Sequence, residues 1–203
     1  MPISHLRFRL ARVAAELSKD CRGVAATEFV MIVPLMLVMF FGVVEFSSGV
    51  AVDRKVTLVA RTLSDLTSQS TSVTDSDLSN FFAASVGILT PYPASPTKST
   101  ITELYVDPAT HKARVQWSKA STFNSSGTVV LGTSSHSAGD IVTIPSALAV
   151  DGTYLIWSEV SYTYVPAVGY VMAKTGVNLS DLIYTRPRQS SCVMYKTTVC
   201  TTL

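Results

Sequence analysis

Histidine and cysteine are scarce in this chain, three of each among 203 residues, and neither gathers into a group that does chemistry. His5, His111 and His136 lie far apart, with no acid or cysteine at ligand spacing, so neither a metal centre nor any other cofactor is expected. G-x-S-x-G, H-E-x-x-H and the Walker A loop are all missing. "DSDLSNFFAASV" begins like a calcium loop but lacks the turn glycine and the closing Glu, so it reads as a helix start. Charge is thin as well, at 15% of residues, and unevenly placed. Arg7, Arg9, Arg12, Lys19 and Arg22 against Glu16 and Asp20 leave +3 on residues 1–23 and −1 on the remainder. The body of the chain therefore has no basic surface suited to nucleic acid.

What the chain has in quantity is apolar residues, 47% of the total. From Phe29 to Val44 no charge interrupts the run, which spans ~24 Å at helical rise against a ~30 Å hydrocarbon core. Val24 to Thr27 and Phe46 to Val52 extend it to membrane length. The basic flank lies on the N-terminal side, which predicts a cytoplasmic N-terminus and an exported chain beyond about residue 53. A cleaved signal peptide is the rival reading, because Gly49-Val50-Ala51 is a small-x-small triplet ahead of Val52. Such peptides end within ~30 residues, whereas this cut would fall past Glu28, Pro34 and Glu45. Cys21 then sits in the reducing cytoplasm, while Cys192 and Cys200 are exported with seven residues between them. A disulfide between these two is expected, with their Cα atoms ~4.4–6.8 Å apart.

Beyond the apolar run the helical period continues. Val52, Val56, Val59, Leu63 and Leu66 form one narrow stripe on a polar helix, so a single helix is expected from about Val24 to Leu66. Pro34, without an N–H, should bend or loosen it. "TSQSTS" (67–72) reads as a polar linker. Thr74 with Asp77 three residues on predicts an N-cap for a short amphipathic helix that carries Leu78, Phe81, Phe82, Ser85 and Leu89 on one face and stops before Pro91. "ITELYVD" and "ARVQWSKA" predict a β-hairpin, with Ala113, Val115 and Trp117 on one face. Residues 121–140 read as a surface loop, and "TYLIWSEVSYTYVP" as the strongest strand, with a shorter one in "LIYTRPR". Trp117, Trp157 and the tyrosines suit a sheet core better than a ligand platform. The expected architecture is α+β: a long N-terminal membrane helix packed on an antiparallel sheet of about four strands, with a second short helix.

The stretch "RGVAATEFVMIVPLMLVMFFGVVEF" continued by "SSGVAVDRKVTLVARTLSD" resembles the TadE/TadG-like pseudopilins of tight-adherence (Flp pilus) systems over about residues 22–65. The modest exported length favours the TadE-like type. The resemblance implies a type IV pilin-like fold and a prepilin-type leader, residues 1–23, cut between Gly23 and Val24 after Arg22 by a membrane aspartic peptidase. Residues 24–52 are then the transmembrane helix, 53–66 its exported half and 67–203 the periplasmic domain of a single-pass inner-membrane protein. Glu28, followed by Phe29, becomes the fifth residue of the mature chain, and in related type IV pilins such a carboxylate pairs with the terminal amine of a neighbouring subunit. Glu45 lies ~25 Å further along the axis, at the outer interface. The implied role is a non-enzymatic minor pseudopilin of pilus assembly. Its partners are the prepilin peptidase, other pilin-like subunits, the assembly platform and membrane lipid. The alternative is a single-span membrane-anchored periplasmic enzyme or ligand-binding domain.

Overall fold

A computed structural model describes residues 22–166, 176–198 and 200. Residues 1–21, on which most of the expected leader and Cys21 fall, lie outside the described residues. The chain divides into two compact units between Phe46 and Ser47.

The first unit is the opening half of α1 (Arg22–Ser68), with Pro34 inside the helix. Its large side chains are exposed on every side: Phe29 is 67% exposed, Met31 81%, Leu35 63% and Phe40 61%. A helix whose large apolar side chains are exposed all round suits lipid or other helices. The most apolar 18-residue window has a mean hydropathy of 2.5.

The second unit runs from Ser47. Here α1 keeps only the stripe: Val52, Val56, Val59, Ala60 and Leu63 are buried, whereas Leu58 is exposed. The next elements are β1 (Ser72–Val73) and α2 (Asp75–Val86), then a 3-10 turn at Gly87–Leu89. Thr74 and Asp77 cap α2 reciprocally, the Asp77 N–H donating to Thr74 Oγ1 and the Thr74 N–H to the Asp77 carboxylate. The predicted apolar face of α2 is buried at Leu78, Phe82 and Ser85, and Leu89 is buried in the turn that follows. "TSQSTS" is less of a linker than its composition suggests. Thr67 and Ser68 are buried in the last turn of α1, and their hydroxyls bond back to the carbonyls of Leu63 and Asp65.

The sheet is antiparallel, in the order β4-β3-β2-β6-β7 with β5 also pairing β3. Its long strands are β2 (Thr97–Asp107), β3 (Lys112–Phe123), β6 (Tyr154–Tyr164) and β7 (Val177–Thr185), which are the four that the sequence predicts. The stretch expected to be loop adds β4 (Val129–Gly132), and β5 (Ile141–Val142) follows, so the sheet has six strands. A further short strand, β8 (Met194–Tyr195), runs parallel to β1. The α1 stripe, α2, Ile101, Trp117, Phe123, Ile156, Val160, Tyr162 and Tyr164 form one apolar core on one face of the sheet.

The expected common face for Ala113, Val115 and Trp117 is corrected by a β-bulge. Glu103 pairs with Trp117 but Leu104 with Val115, which leaves Gln116 as the extra residue. Because side chains alternate with period two, one inserted residue turns Trp117 to the opposite face. Trp117 joins the α1 core, while Ala113 and Val115 join a second cluster with Leu104, Val106, Leu155 and Trp157, covered by Val142, Ile144 and Leu148.

Leu63 is fully buried in the α1 core, so Leu63→Ala is expected to destabilise the unit that begins at Ser47 by ~2–5 kcal/mol. Leu58→Ala, at a position 47% exposed, should stay within ~0.5 kcal/mol. Both tryptophans lie in the sheet, so denaturant titration in detergent read by their fluorescence reports this domain alone.

Candidate processing and assembly segment

At the start of α1 the backbone around Gly23 is open, with nothing within 4 Å of where a Cβ would stand. Val24 is 53% exposed. Thr27 Oγ1 donates to the Val24 carbonyl at 2.8 Å, so its hydroxyl is satisfied within the helix and needs no external partner. Glu28, Phe29 and Pro34 are exposed, the acid thus lying among side chains with no core of their own. Glu45 differs from its neighbours: it is 3% exposed between Val44 at 47% and Phe46 at 68%. Glu28 and Glu45 stand ~25 Å apart along the helix, so the two acids do not form one site. Among the described residues no group of three or more His, Cys, Asp or Glu side chains is placed to hold a metal ion.

Residues 23–63 match the family model for the TadE-like protein. Over this segment, about a fifth of the chain, the protein is similar to the TadE-like family. No curated protein and no solved structure matches the chain. The family matched over this segment is a structural one of tight-adherence pilus assembly. An apolar N-terminal helix accords with membrane anchoring or with a pilin-like N-terminus.

The match ends within α1, so the domain beyond it is read from its own residues. Its C-terminal segment is held at several points. Cys192 and Cys200 form a disulfide with Cα atoms 6.2 Å apart. Met194 N donates to Thr71 O and Lys196 N to Val73 O, which ties β8 alongside β1. The Tyr195 ring stacks on Trp117 at 5.6 Å between centroids, and its hydroxyl donates to Asp75. Lys196 Nζ bonds the other Asp75 oxygen at 2.5 Å. Lys196 and then Tyr195 hold the Asp75 carboxyl below its ordinary value.

At the centre of this attachment is Glu103, which the sequence analysis did not single out. The residue is 2% exposed. Val193 N donates to Glu103 Oε1 at 2.5 Å, and the Trp117 indole N–H donates to Val193 O at 2.8 Å. Burial pushes the Glu103 carboxyl up to about 8, only partly offset by the Val193 N–H and the Trp117 indole. The signal was in "ITELYVD": Glu103 alternates with Ile101 and Tyr105, so it occupies an inward position of β2.

The folded chain holds a proton on Glu103 between the unfolded value of 4.5 and about 8, a window in which the unfolded chain has lost it. The stability contributed is therefore full below 4.5 and falls as pH rises towards 8, at ~1.4 kcal/mol per pH unit where the slope is steepest. Glu103→Gln is expected to flatten this slope in denaturant titrations across that window. An equal slope in the variant assigns the loss to other groups.

Proposed function

We propose that the chain is a minor pseudopilin whose leader is removed between Gly23 and Val24 by a prepilin peptidase, and whose mature helix joins other pilin-like helices in a tight-adherence pilus or a related secretion apparatus. The observation that carries this reading is the TadE-like match, which begins at Gly23, the residue that precedes the bond to be cut. The open backbone at Gly23 supports it, since a glycine without Cβ lets a protease cleft close on an extended chain. The N-terminus is placed in the cytoplasm by the basic leader, with residues 1–23 as leader, 24–52 in the inner membrane and the domain beyond in the periplasm.

Glu28 is assigned the pairing role. An acid inside lipid costs ~2.5–3.5 kcal/mol on insertion scales. An amine brought by a neighbouring subunit offsets that cost only once assembly occurs, which makes the acid a registration device. Glu28 is exposed on α1, as such a contact requires. Glu45, buried where its neighbours are not, serves in this reading to mark the end of the lipid-facing stretch.

N-terminal sequencing of the membrane-purified protein is expected to read from Val24, and Gly23→Leu should leave the full-length precursor in the membrane. A mature chain beginning at Val52 overturns the reading in favour of a signal peptide, and an intact N-terminus favours the anchored-domain alternative.

Glu28→Ala is expected to leave export unchanged and stability of the domain within ~0.5 kcal/mol of wild type, because Glu28 is exposed and is not one of the buried residues of that domain's core. Cross-linking to partner subunits should fall. Assembly equal to wild type removes the pairing role and leaves Glu28 as an interfacial acid.

A further inference from the structure

The sheet face opposite the α1 core is only half covered. Its apolar end lies under Val142, Ile144 and Leu148. Its other end is polar, and the register explains why. Thr100, Glu159 and Leu182 are paired across β2, β6 and β7, and so are Lys98, Ser161 and Ser180 in the next row of the same face. These two rows, with Ser135 and His136 from the covering loop, line an open cleft of about 550 Å³. That is the size range of small-molecule sites.

The boundary of the cleft is built. The His136 ring packs on Trp157 at 4.7 Å between centroids, and its Nε2 lies 2.9 Å from Glu159 Oε2. One oxygen of the Glu159 carboxylate, which lines the cleft, is thus held in place by His136. Among the described residues, the hydroxyls of Thr100, Ser135, Ser161 and Ser180 and the Lys98 ammonium make no hydrogen bond within the chain. Elsewhere in the domain the hydroxyls of Ser64, Thr67, Ser85 and Thr102 are all bonded internally. Four hydroxyls that both donate and accept, one carboxylate that accepts and one ammonium that donates form a dense, two-way set. Beside them Leu182, 51% exposed, supplies apolar surface.

We propose that this cleft binds a neutral saccharide of one or two rings. Such a ligand carries alternating hydroxyls on its rim and C–H groups on its faces. The rim meets the hydroxyls, Glu159 and Lys98, and a C–H face lies over Leu182. Glu159 and Asp181 outnumber Lys98 among the charged lining groups, which disfavours an acidic sugar. The site is independent of the helix motif, so it stands whether or not the chain is a pseudopilin.

The test is saturation-transfer NMR on the full chain in a detergent without a sugar head group, with maltose, N,N′-diacetylchitobiose and a glucuronate-containing disaccharide as probes. Saturable transfer to at least one neutral disaccharide is expected, weakened about tenfold or more in Thr100→Val combined with Ser180→Ala. Lys98→Ala, at an exposed position, should weaken binding with unchanged thermal unfolding, which separates lost contacts from lost folding. Transfer to neither neutral sugar overturns the proposal, as does undiminished transfer in both variants. Tighter binding of the glucuronate probe overturns the charge assignment, and with it the neutral class.

Discussion

An α-helix satisfies its backbone hydrogen bonds within itself, and the rest of this protein depends on that property. The same element can therefore pass from an apolar environment to an aqueous one without leaving N–H or C=O groups unpaired. Only its side chains change. From Phe29 to Val44 they are apolar on every side, and from Val52 onwards only a narrow stripe remains so. The first part invites contact with lipid or other helices, and the second finds its partner in the sheet of its own chain.

That partner is two-faced because of one inserted residue. The bulge at Gln116 sends Trp117 to the α1 side while Ala113 and Val115 stay on the other. Trp117 then reaches Val193 and stacks on Tyr195, so the same irregularity that corrects the core also creates the anchorage for the C-terminal segment. Glu103 sits beside it as a buried acid whose proton is part of the fold. The disulfide, the β1–β8 pair and the Asp75 contacts act on the same short stretch, so residues 192–198 are firmly tied to the domain although only Met194–Tyr195 is regular strand.

Much of the fold was legible in the residues. The long helix, the Thr74 cap, the hairpin and the β6 strand each follow from a local period or a local cap, and those interactions span only a few residues. Their legibility ends where two segments far apart in the chain decide the outcome. β4 and β5 are apolar but too short to announce themselves, set in polar, Ser- and Gly-rich surroundings, and they pair only where β3 offers an edge. The face of Trp117 depends on register against β2, which no single strand encodes. Glu103 could be placed inward by its alternation, but its partner Val193 is ninety residues away in the chain.

By itself, the sequence determined the TadE-like segment, the membrane-length helix, the stripe that follows and the Cys192–Cys200 pair, because composition and spacing along one chain suffice for each. The tertiary structure alone decided which polar groups are buried, which are bonded and which are left facing solvent. Glu103 and Glu159 are both acids on sheet strands, alike in local sequence terms. One lies under the C-terminal segment, and the other beside an open cleft lined with hydroxyls that the chain does not bond. Desolvation separates them, and it is a property of what packs overhead, not of the strand that carries the residue.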